Sequence, residues 1–210
     1  MTIPTHTPAK NIFSLPTHAL KNAIEKEWES GKKYSPENMP LTAIAYTAID
    51  KISDNKPAMV EVLMVYVDSD TLTYLASGSD ELKKTQEEKW GAVLKWLGNR
   101  FDVSWKTTSG VMPEEQSPLL HKAIERYLNS LNEWQLAAFA VLSSCLSSIA
   151  LAIAICEKHL SAADAFKLSR LEEEYQAEKW GRDEEAEKRA KRIKEEIISA
   201  EKFLRLQVAQ

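Results

Sequence analysis

The chain has 210 residues, 44% of them hydrophobic and 28% charged, with a formal net charge of −4. That length accommodates one large domain or two small ones, and the apolar share builds a sizeable core, which excludes a disordered acidic solubiliser. The negative balance gives no general electrostatic reason to bind nucleic acid or an anionic membrane surface.

The first sixteen residues, MTIPTHTPAKNIFSLP, lack the charged and continuously apolar regions of a signal peptide, so no secretory leader is expected. Thr17 to Ser30 reads as a helix, with Thr17 as N-cap and Leu20, Ala23, Ile24, Glu27 and Trp28 at helical offsets; Gly31 ends it. A loop carrying Pro36 and Pro40 leads to a second short helix over LTAIAYTAID, ending at Asp50. Met59 to Val67 fits either a strand or a buried helix. Strands are expected at Thr71 to Ala76 and at Val103 to Thr107, with a helix over Ser79 to Asn99 between them.

A loop carrying Gly110, Pro113 and Pro118 divides this mixed half from a helical one. The expected architecture is therefore α+β and predominantly helical, with a small β-containing N-terminal domain over 1–112 and an all-helical C-terminal domain over 113–210. In the second half, Leu119, Leu120, Ala123, Ile124, Tyr127, Leu128 and Leu131 mark one helix, and Glu133 to Lys158 a central core helix. The uncharged stretch Gln135 to Cys156 is long enough to span a bilayer. Ser143, Ser144, Ser147 and Ser148 would form a small-residue stripe on that helix, and no Lys/Arg clusters flank it, which favours a soluble core helix over insertion.

Ser161 to Asp164 is a capping box opening a third helix. The last helix starts near Asp183, with a seam of Ala186, Ala190, Ile193, Ile197, Ala200 and Leu204, and with ion pairs Glu184–Lys188, Glu185–Arg189 and Glu187–Lys191. Those pairs neutralise the basic run KRAKR, so nucleic-acid binding is not expected.

No cofactor or metal site is expected. The six glycines are never closer than seven residues apart, which leaves no phosphate cradle, and the four histidines are scattered. Cys145 and Cys156, eleven apart on one expected helix, are about 16 Å apart along its axis, too far for a disulfide. The acidic stretch LSRLEEEYQAEKWG at 168–181 is the one constellation to weigh. On a single helix Leu168, Leu171 and Tyr175 share an apolar stripe, Glu172 and Glu178 lie at its borders, and Glu173 points away. Such a carboxylate can be a general acid, an anchor for a partner, or half of an ion pair to Arg170 or Lys179. Trp180 before Gly181 reads as packing at a helix end, where glycine takes the left-handed conformation.

LSRLEEEYQAEKWG, with LPTHALKNAIEKEWES at 15–30, PLTAIAYTAID at 40–50, TLTYLA at 71–76 and GVMP at 110–113, resembles the assembly chaperone family for the α subunit of the F-type ATP synthase catalytic sector. The resemblance implies a monomeric, cofactor-free protein without enzymatic activity. It would shield the interface of the free α subunit until the β subunit takes over. It also implies partner contacts at Glu172, Glu178, Trp180 and Gly181, and structural roles for Trp28 and Asp50. Family members carry additional strands ahead of TPAK at 7–10, so the resemblance implies a short N-terminal sheet, left with strands near Ile12 to Leu15, Thr71 to Ala76 and Val103 to Thr107. The bacterial cytoplasm is the expected compartment, with the mitochondrial matrix as the alternative. A small-molecule enzyme using carboxylates near Glu172, and a helical interaction module with another partner, are the alternative functions.

Overall fold

A computed structural model describes residues 3–109 and 114–208. Among the described residues there are ten α-helices: α1 His18–Glu29, α2 Pro40–Thr47, α3 Lys56–Met64, α4 Asp80–Phe101, α5 Pro118–Ser130, α6 Glu133–Leu146, α7 Ile149–Cys156, α8 Ala162–Ser169, α9 Leu171–Trp180 and α10 Glu184–Leu206. The only strands among the described residues, β1 Tyr74–Leu75 and β2 Thr108–Ser109, pair in parallel. The fold is thus α+β and predominantly helical. The expected domain boundary at 112/113 and the GVMP segment lie outside the described residues.

The helix starts follow local chemistry. The hydroxyls of Thr17, Ser79, Ser117 and Ser161 each accept an N–H of the first turn that follows, and Asn132 and Gln135 form a reciprocal capping box at α6. α2 starts differently. The carboxylate of Glu27 on α1 accepts the N–H groups of Leu41 and Thr42 at 2.8 and 2.9 Å and the Thr42 hydroxyl at 2.7 Å. Burial raises the Glu27 carboxyl above its ordinary pKa against these bonds. Trp28 donates its indole N–H to the same Thr42 hydroxyl at 3.2 Å and stacks on Tyr34. At the end of α2 the backbone widens into a π-helical turn, Ala48–Ile52, whose Asp50 accepts bonds from Thr7, Ala9 and Asn11 and so holds the N-terminal segment.

α6 and α7 are the centre of the molecule. Every residue of α7 from Ile149 to Ile155 is buried, and Leu136, Phe139, Leu142 and Leu146 of α6 are fully or almost fully so. α2, α10 and the π-helical turn pack on α6, and α4 packs on α7. Of the expected seam on α10, Ile197 and Ala200 are buried together with Phe203, while Ala186 is exposed.

Five sequence expectations are corrected. Ile12 to Leu15 forms only an isolated antiparallel bridge, His6 to Ile12. Thr71–Thr73 is a 3-10 turn because the Asp70 carboxylate accepts the Leu72 N–H, leaving two residues of strand. Val103 to Thr107 is not a strand, since the Gln116 side chain takes both the N–H and the carbonyl of Lys106, the groups a neighbouring strand would use. Leu119, expected on the apolar series, is 70% exposed at the start of α5.

The fifth correction concerns the long core helix, which is two helices. Ser147 turns left-handed (φ 48°, ψ 34°), and Ser148 leaves the helix to cap α7, its hydroxyl accepting the Leu151 N–H at 3.0 Å. The serines therefore make a break rather than a stripe. Among the described residues no helix is long and apolar enough to cross a membrane. Met59 to Val67, open between two readings, is helical.

Candidate functional site

The break between α6 and α7 is gripped from the N-terminal half. The Thr71 N–H and hydroxyl both donate to the Ser147 carbonyl, at 3.0 and 2.8 Å. Asp70, wholly buried, accepts the Ser148 hydroxyl and the Ala150 N–H, both at 2.8 Å, besides Leu72. Burial pushes its carboxyl up to about 6, the hydrogen bonds opposing the rise. These contacts place Thr71 and Ser147 side by side as one wall of a cleft.

The opposite wall is the α8–α9 corner. α8 ends at Ser169, and Arg170 leaves helical geometry (φ −109°, ψ 18°), so Leu168 and Leu171 belong to different helices and the expected continuous stripe is interrupted. The Trp90 indole on α4 donates to the Leu168 carbonyl at 2.9 Å and anchors this corner. The resulting cleft, about 360 Å³, is lined by Thr71, Trp90, Cys145, Leu146, Ser147, Ser169, Arg170, Glu172, Glu173, Gln176 and Ile193.

Glu172 stands exposed at this cleft, accepting only a 3.2 Å bond from Gln176 one turn on. It makes no ion pair among the described residues. Arg170 pairs instead with Glu173 at 3.7 Å, and Lys179 with Glu81 of α4 at 3.3 Å. Glu173, expected to point away, lines the cleft as well, because the chain bends at Arg170. Glu178 is exposed and outside the cleft lining.

Trp180, expected as a packing residue, is 80% exposed. Gly181 has φ 96° and ψ 163°, an extended positive-φ conformation open essentially to glycine alone, rather than the left-handed helical one. The chain then turns so that Arg182 reaches Glu174 of α9 at 2.9 Å and Glu187 of α10 at 2.6 Å. α9 itself buries no residue. Polar ties hold it: Tyr175 to Ser79 at 2.9 Å, Tyr175 to Glu81 at 3.2 Å, and the ion pairs already named. Trp28 and Asp50 take no part in the cleft.

The two thiols are pushed up to about 12, chiefly by burial, which removes them as nucleophiles at neutral pH. No group of three or more His, Cys, Asp or Glu residues among those described could hold a metal ion. An exposed carboxylate, a cleft and an exposed indole on a lightly packed helix suit contact with another macromolecule. Sequence reasoning did not find Asp70, Thr71 or Gln176. The Ser147–Ser148 pair, a helix N-cap signal inside an apolar run, was the available sign of the break.

The sequence profile of the family described as ATP12 chaperone protein matches residues 3–98. The crystal structure of Atp12 from Paracoccus denitrificans superposes with a TM-score of 0.91 at 34% identity, over 98% of this chain and 89% of that one. The mitochondrial protein atp12 of Schizosaccharomyces pombe is 29% identical over 86% of this chain, and ATP12 of Saccharomyces cerevisiae 23% over 77%. The chain spans 66% and 63% of the lengths of those two yeast proteins.

Proposed function

The chain belongs to the ATP12 chaperone family, and on that premise we propose that it is an assembly chaperone of F-type ATP synthase, holding the free α subunit until the β subunit displaces it. An unassembled subunit exposes an apolar interface that aggregates, and covering it needs shape and moderate affinity rather than chemistry. The reading assigns no enzymatic activity and no cofactor. It places the protein in the bacterial cytoplasm, with the mitochondrial matrix as the alternative, and treats it as a monomer.

The observation that carries this reading is Glu172: an exposed carboxylate without an ion pair among the described residues, at a cleft, on a helix that buries nothing. Such a group keeps its charge available for a partner's cation or N–H donors. Trp180 at the end of the same helix offers apolar area of the kind that dominates interface energetics, and Gly181 sets the turn that presents it. Glu178 adds charge to the same exposed helix. Trp28 and Asp50 act structurally, through Thr42 and the N-terminal segment.

The test is capture of purified ATP synthase α subunit by the folded protein. Stoichiometric capture, reversed by added β subunit, is the expected result. Absence of any complex with α, under conditions where the chaperone is folded by circular dichroism, overturns the proposal.

A further inference from the structure

A second cleft, of about 740 Å³, adjoins the first. The exposed and half-exposed stripe of α6 in its C-terminal half runs through Val141, Ser144 and Cys145. Val141 lines the second cleft and Cys145 the first, one helical turn apart. α10 repeats the arrangement, with Ile193 at the first cleft and Glu196 at the second. The Cys145 thiol donates to the Glu196 carboxylate at 3.4 Å, so the two clefts meet at this contact.

The walls of the second cleft differ from those of the first. Tyr34 and Tyr46 meet edge to face, 5.4 Å between centroids, beside Pro36 and Pro40. Tyr46 is buried there against Phe13 and Tyr34 stacks on Trp28, so the apolar surface left to an incoming segment is that of Pro36, Pro40 and Val141, which suits apolar and proline side chains of an extended segment. The charged lining is Glu37, Asp50, Lys51 and Glu196. Hydrogen bonds engage Asp50, from Thr7 and Asn11, and Glu196, from Cys145, without cancelling charge, so three carboxylates stand against one cation. A basic residue on the incoming segment complements that balance, as it does the glutamates of the first cleft.

We propose that the client surface continues from Glu172 across the Cys145–Glu196 contact into the Tyr34–Tyr46 cleft, where it takes an extended client segment with apolar or proline side chains next to a basic residue. The proposal rests on the reading that Glu172 contacts the client, and it extends that contact to a second half of the molecule.

Ala43 and Thr47, one turn apart on the half-exposed face of α2, line the second cleft and allow a test. Affinity for purified α subunit is measured by calorimetry for the wild type, Ala43→Arg and Glu172→Lys, with melting curves as the fold control. Ala43→Arg is expected to weaken binding at least tenfold with the melting temperature unchanged. Unchanged affinity of Ala43→Arg beside weakened Glu172→Lys overturns the extension and leaves the first reading standing. Absence of wild-type binding overturns both. If Ala43→Arg does not fold, a photo-crosslinking benzoylphenylalanine at Thr47 decides. Cross-linking to a client peptide that has a basic residue among apolar or proline residues supports the proposal, and no cross-link, or one to an acidic segment, overturns it.

Discussion

The α6–α7 pair and the α9–α10 corner are both helix–break–helix units, built to opposite ends. The first is broken at Ser147–Ser148 and buried on nearly every side, with the break closed by Asp70 and Thr71 from far along the chain. The second is broken at Gly181 and buries nothing until the later turns of α10, its corner held by Arg182 between two glutamates at the surface. Buried polar bonds that complete a helix end are costly to lose, whereas exposed ion pairs contribute little and leave their helix free to meet a partner. The difference separates what holds the fold from what is free to bind.

The largest expected effect breaks the buried unit. Phe139→Ala on α6, at a position with no exposure, should cost about 4 kcal/mol by lost apolar contact and the cavity left behind, measured by urea denaturation. A cost below about 1 kcal/mol would mean that this core repacks freely.

Asp70 sharpens the comparison through pH. Its folded pKa of about 6 stands above the ordinary carboxylate value of 3.8, so the folded state binds the extra proton. Stability from this group is present below pH 3.8 and is lost as pH rises through about 6, an effect on the order of 3 kcal/mol. Asp70→Asn cannot titrate, so its stability relative to the wild type should rise between pH 4 and pH 7. A flat difference across that range would show that Asp70 does not carry the raised pKa.

At the exposed corner the effects fall on binding. Glu172→Lys should lower affinity for the α subunit at least tenfold while the melting temperature stays put; loss of fold instead would place Glu172 in the structural class. Trp180→Ala is the smallest change in stability, within about 0.5 kcal/mol because the indole is already 80% in water, with a several-fold loss of affinity. Equal affinity in Trp180→Ala would remove the indole from the client surface.

Much of the fold was legible because helix signals are local. Thr17 and Ser161 do cap their helices, the last helix does start beside Asp183, and the spacing of Leu20 and Ile24, of Trp90, Val93 and Leu97, and of Ile197 and Ala200 does put those residues in the core. Glu184 does pair with Lys188, while Glu187 turns to Arg182. The acidic stretch around Glu172 was visible as composition and by resemblance. That it is split at Arg170, which leaves Glu172 unpaired among the described residues and turns Glu173 into the cleft, was not.

Composition, periodicity and capping residues by themselves determined a predominantly helical protein with a central apolar segment and an acidic, tryptophan-ended stretch near its C-terminus. Only the tertiary structure decided where the central segment breaks and where the strands stop. Both depend on bonds between residues far apart in sequence, Asp70 and Thr71 with Ser147 and Ser148, and Gln116 with Lys106. A carboxylate that accepts donors from two segments at once, or an amide that stands in for a strand, leaves no periodic trace in either segment. The chain has to fold before those partners meet.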